Sequence, residues 1–68
     1  MKVEIDSLVR GYVGFTDRIT QARVYRITPW GWVGGINTEG RQTIIRDPEI
    51  IGDPRPMNQR NDIPEKFR

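Results

Sequence analysis

Residues 26–41, RITPWGWVGGINTEGR, hold two reverse turns in quick succession. Pro29 has no backbone N–H to give to a ladder, so a strand arriving through Thr28 ends there and Pro29-Trp30-Gly31 reads as a hairpin turn. Asn37-Thr38-Glu39-Gly40 is a second turn signal, because Gly40 can take positive φ. Gly31–Asn37 between them fits one short strand, with Trp32 and Ile36 on one face and Trp32 expected in the core. A chain that reverses twice in so short a span is building antiparallel sheet. The same stretch places Trp30 and Trp32 between Arg26 and Arg41, so it serves as core-filling rings, as an exposed aromatic and arginine edge, or as both on alternate positions.

Working outward, the flanking segments also have β character. Ile19–Thr28 is dense in β-formers, with Arg23, Tyr25 and Ile27 on one face and Ala22, Val24, Arg26 and Thr28 on the other. Val3–Phe15 alternates as one long bent strand or two short ones, with a bend or bulge at Gly11 or Gly14, before the polar turn Thr16–Arg18. On the other side, Arg41–Arg46 predicts a fourth strand, Asp47-Pro48-Glu49 a helical or tight turn, and Ile50-Ile51 a short fifth strand. About five short strands with hairpin turns and no helical periodicity predict an all-β domain over residues 1–52, a small SH3-like barrel. A meander that completes its core by dimerising is the rival architecture.

From residue 53 the composition changes to a Pro-rich extended tail, 53–68, whose large apolar residues are Met57, Ile63 and Phe67. Read alone it is extended or disordered; if ordered, those three side chains dock onto the barrel or onto a neighbouring subunit.

A chain of 68 residues buries little apolar surface, and it has no cysteine or histidine for a disulfide or a structural zinc site. Self-association into a homo-oligomer is therefore expected. The same absences remove the commonest nucleophile and base pairings, Ser7 is the only serine, and Asp17 with Glu39 has no spacing that marks a catalytic pair. No catalytic, metal or cofactor site is expected. Gly31, Gly34 and Gly35 match no phosphate-loop fingerprint and are expected to let the strand curve. No segment has the apolar length of a membrane span, and a cytoplasmic protein is the expectation.

The net charge is only +2, but six arginines (Arg10, Arg18, Arg23, Arg26, Arg41, Arg46) stand against Asp17 and Glu39 between residues 7 and 46. Arginine outnumbers lysine nine to two, which suits planar contact with phosphate or carboxylate. Arg10, Tyr12, Arg23, Arg26, Trp30 and Arg41 form the candidate binding set, with Arg26 and Arg41 expected close together beside the hairpin. The mixture fits a nucleotide or single-stranded nucleic acid, and equally a protein hot spot. Solvated arginines with local acidic partners are the alternative.

LVRGYVGFTDRITQARVYRITP, residues 8–29, resembles the opening of small SH3-like or KOW-like barrels, and the likeness extends to about residue 50. The chain is also similar to short uncharacterised proteins common in bacteriophages and prophages. The resemblance implies a non-catalytic binding protein that blocks a host protein or sequesters a small anionic, nucleotide-like ligand. A nucleic-acid-binding module and a virion or assembly accessory are the alternatives, and no site residue is carried over from the resemblance.

Overall fold

The computed structural model of the protein describes residues 2–63 and 65. Four strands, β1 (Leu8–Val13), β2 (Ile19–Ile27), β3 (Trp32–Asn37) and β4 (Gln42–Gly52), follow one another in chain order. Each is antiparallel to the next, and β4 returns to pair with β1, closing the barrel. The all-β class and the small SH3-like barrel hold, with four strands in place of five. Among the described residues no helix is long and apolar enough to cross a membrane.

The expected fourth and fifth strands are one continuous strand, and Asp47-Pro48-Glu49 is a bulge within it. Asp47 and Pro48 separate Arg46 from Glu49 on β4, whereas only Gly11 separates their partners Tyr12 and Arg10 on β1. A bulge accommodates a proline because its extra residue is outside the ladder. A second shift leaves Ile51 between Ile50 and Gly52, opposite the adjacent residues Val9 and Leu8. With these kinks β4 serves two neighbours, pairing with β3 along Gln42–Arg46 and with β1 from Ile45 onward. Gly11 allows the closure. A Cβ there would lie 2.5 Å from Ile45 Cγ2 and 2.7 Å from the Arg46 carbonyl oxygen.

Val9, Ala22, Val24, Val33 and Ile45 point inward and form the core, with Val3, Ile5 and Ile50 packed against it. Val3–Asp6 is not the expected opening strand; it closes in a turn in which Ser7 N–H donates to the Glu4 carbonyl at 3.0 Å. The 37–40 turn forms as its sequence predicts. The Asn37 side-chain oxygen accepts from the N–H groups of Glu39 and Arg41, both at 2.9 Å, and Gly40 has φ 82°. Asn37→Ala removes both bonds at a half-buried position, and the expected cost is about 1 kcal/mol. The check is a lower urea midpoint at unchanged slope.

The C-terminal segment is tied to the barrel through Asp6, whose carboxylate is fully buried. Arg55 donates to it three times, from its backbone N (2.7 Å), Nε (2.9 Å) and Nη2 (2.5 Å). Arg60 and Arg23 approach the same carboxylate at 3.7 and 4.0 Å. Arg23 also donates to the carbonyls of Asp6 and Asp53, at 3.1 and 2.9 Å. Burial alone pushes the Asp6 carboxyl up, but the Arg55 hydrogen bonds and charge, aided by Arg23, outweigh it and hold the group below its ordinary value. Beyond this clasp Ile63 is buried, while Met57 lies exposed on a short 3-10 turn (Met57–Gln59). Phe67 lies outside the described residues.

Candidate functional site

The outer face of the barrel follows from the register. Trp32 pairs with Arg46, Arg46 with Tyr12, and Tyr12 with Ile19, so these four side chains form one row across all four strands. Trp32 therefore points outward, which corrects its expected place in the core. The inward positions of β3 are Val33 and Gly35, since a Cβ on Gly35 would meet Ala22 Cβ at 2.6 Å. Trp32 and Ile36 do share a face, as alternation requires, but that face is the outer one, where Ile36 is nevertheless buried and Trp32 half-buried. Tyr25, at a bulge of β2, lies across Gly34, where a Cβ would come within 2.9 Å of its ring.

Trp30, in the β2–β3 turn, covers Trp32. Their rings stack with centroids 6.2 Å apart and planes 24° from parallel. The turn is braced by Thr28, whose hydroxyl donates to the Trp32 carbonyl at 2.6 Å. Trp30 is nevertheless 73% exposed, and Phe15, on the β1–β2 turn, is 100% exposed. With the half-exposed Ile44 these rings line a cleft of about 540 Å³ whose remaining walls are Gly14, Gly31, Arg46 and Asp47. Two hairpin turns and the β4 bulge meet there.

Arg46 holds this end together. Its Nε donates to the Gly14 carbonyl at 3.1 Å and its Nη2 to the Thr16 carbonyl at 3.3 Å, fixing the Phe15 turn against β4. Its guanidinium carbon lies 4.7 Å from the centre of the Tyr12 ring, a cation–π contact, and its Nη1 lies 3.4 Å from Asp47 Oδ2. Asp47 occupies the left-handed region at φ 52°, and its N–H donates to the Gly31 carbonyl at 3.2 Å. The cleft is therefore a braced surface with one cation and one anion on its rim. No family model, curated protein or solved structure matches the chain.

Of the residues nominated from sequence, Trp30 lines the cleft and Tyr12 forms its support through Arg46. Arg10 lies on the outer face 3.4 Å from Glu49. Arg23 is engaged in the tail clasp. Arg26 and Arg41 are not neighbours: Arg26 pairs with Gly34 beside the Trp30 end of β3, whereas Arg41 sits in the turn beyond the other end, 4.0 Å from Glu39. Arg26 precedes the first turn and Arg41 follows the second, so the part of β3 from Gly34 to Asn37 keeps them apart. Phe15, Ile44, Arg46 and Asp47 were not nominated. Phe15 did carry a signal, since an aromatic between Gly14 and the polar turn Thr16–Arg18 has no strand neighbours to bury it.

Proposed function

We propose that the chain is a non-enzymatic binding module whose working surface is the aromatic cleft, and that its partner is a protein presenting an apolar anchor. The carrying observation is the exposure of Phe15, Trp30 and Ile44 around one braced, mostly apolar cleft. Burying an exposed ring of this size in a partner contributes about 1.5–3 kcal/mol, and aromatic side chains beside arginine are the usual hot-spot residues. The Arg46 hydrogen bonds fix the backbone of the Phe15 turn, so that backbone loses little freedom on docking, which favours binding. In the phage or bacterial setting that the sequence resembles, the partner is a host protein in the host cytoplasm and the outcome is its blockade.

The arginines speak against an anion as the main ligand. Arg10, Arg23, Arg41, Arg46, Arg55 and Arg60 each face a carboxylate of this chain within 4.0 Å. A nucleic-acid reading keeps one observation in its favour: the open Trp30 ring is a stacking platform, and Arg18 and Arg26 have no ion pair among the described residues.

The test is capture from bacterial lysate by immobilised wild type, Trp30→Ala and Arg26→Ala. Proteins retained by wild type and by Arg26→Ala, but lost with Trp30→Ala, are the expected result. Retention should withstand nuclease and a rise from about 50 to 200 mM salt, which strongly weakens phosphate contacts. Retention abolished by nuclease, or lost only with Arg26→Ala, would overturn the protein reading.

A further inference from the structure

We infer that, at high concentration and without its partner, the cleft is covered by a second copy of this chain in a twofold dimer. This rests on the cleft being the working surface and states how that surface is regulated. A twofold interface requires one patch to carry both halves of every contact. The cleft end does so. Phe15 stands wholly exposed at the rim as a knob, and the recess beside it is walled by Trp30, Trp32 and Ile44. Related by a twofold, each Phe15 enters the recess of the other copy and meets its Trp30 ring.

The charges are self-complementary too. Arg46 and Asp47 line the same cleft, and the Asp47 side chain is 70% exposed despite its contact with Arg46. Two copies brought together set the exposed Asp47 of each toward the Arg46 of the other, whose side chain keeps 37% of its surface open beyond its own contacts; a rim of one sign would instead repel its own copy.

Area sets the strength. Phe15 and Trp30 together expose on the order of 300–400 Å². Doubled across the twofold this stays well under the roughly 1,200–2,000 Å² of a stable interface, so the dimer is weak and transient. A weak self-pair covers the rings at high concentration and gives way to a better partner.

Sedimentation equilibrium of the full chain from roughly 10 µM to 1 mM is the test, the range in which a weak, transient pair forms. Wild type is expected to shift from monomer toward dimer. Phe15→Ser is expected to stay monomeric with wild-type near-ultraviolet circular dichroism, and Asp47→Asn to weaken pairing by about threefold to tenfold. Wild type monomeric throughout, or a dimer indifferent to Phe15→Ser, overturns the inference. A monomeric wild type that still captures proteins through Trp30 refutes self-pairing alone. A dimer broken by Phe15→Ser, in a chain whose capture ignores Trp30, supports the pairing and refutes the cleft's role toward other proteins.

Discussion

Asp6→Asn is expected to destabilise the protein by about 3 kcal/mol, the lower part of the range for breaking a buried ion pair by removing one partner. The carboxylate is fully buried, whereas the side chains of Arg55, Arg23 and Arg60 keep 25, 22 and 16% of their surface in water. On losing Asp6 they rehydrate in part, which keeps the loss from reaching the top of that range. A chain of 68 residues has on the order of 3–10 kcal/mol of stability in all, so the variant loses a third of it or more. Asparagine is the informative replacement because position 6 has φ 70°, a conformation that Asn tolerates and Ala does not. The contrast between Asp6→Asn and Asp6→Ala thus separates the charge from the backbone.

The same residue predicts a pH dependence. Because the folded-state value of Asp6 is depressed, its stabilisation is complete above its unfolded value of about 3.9 and is lost as pH falls through the folded value. Wild type should therefore lose stability below about pH 4, and Asp6→Asn should show a shallower decline over that interval. Urea midpoints measured across the acid range decide this; parallel slopes in the two proteins would count against the clasp.

Gly11→Ala is expected to cost about 3 kcal/mol or more, at or beyond the upper end of ordinary overpacking. One of the atoms its Cβ would strike, at 2.7 Å, is the carbonyl oxygen of Arg46, a backbone atom that cannot rotate away. Relief requires β1 to move from the β4 bulge, and that seam closes the barrel. The damage should reach the cleft, because Arg46 and Asp47 sit at that bulge and hold the Phe15 and Trp30 turns. A fall in the urea midpoint with loss of near-ultraviolet tryptophan signal is the expected outcome. Gln21→Ala on the exposed face of β2 is the control, expected to stay within about 0.5 kcal/mol of wild type. A Gly11→Ala protein with the wild-type midpoint would show that the seam yields more easily than its geometry implies.

Much of the barrel was legible from local chemistry. The turns at 29–31 and 37–40 rest on Pro29, Asn37 and Gly40, and the alternation along Ile19–Thr28 places Ala22 and Val24 together, as they are in the core. The site was only half legible. Trp30 was visible as a turn aromatic, but alternation says only that Trp32 and Ile36 share a face, without saying which face is inward. That depends on which positions face Val9, Val24 and Ile45 after closure, and β3 gives the inward positions to Val33 and Gly35. Arg23 looked like a ligand contact because its partners, Asp6 and Asp53, are remote in sequence.

By itself, then, the sequence determined the all-β class and the hairpin turns, because proline, glycine and asparagine act on their own backbone and alternation acts between near neighbours. Tertiary structure decided the strand count, the burial of Asp6 and the assembly of Phe15, Trp30, Trp32 and Ile44 into one cleft. Each of these depends on closing β4 onto β1 through two bulges. That closure is a contact between residues more than thirty positions apart, which no local pattern encodes.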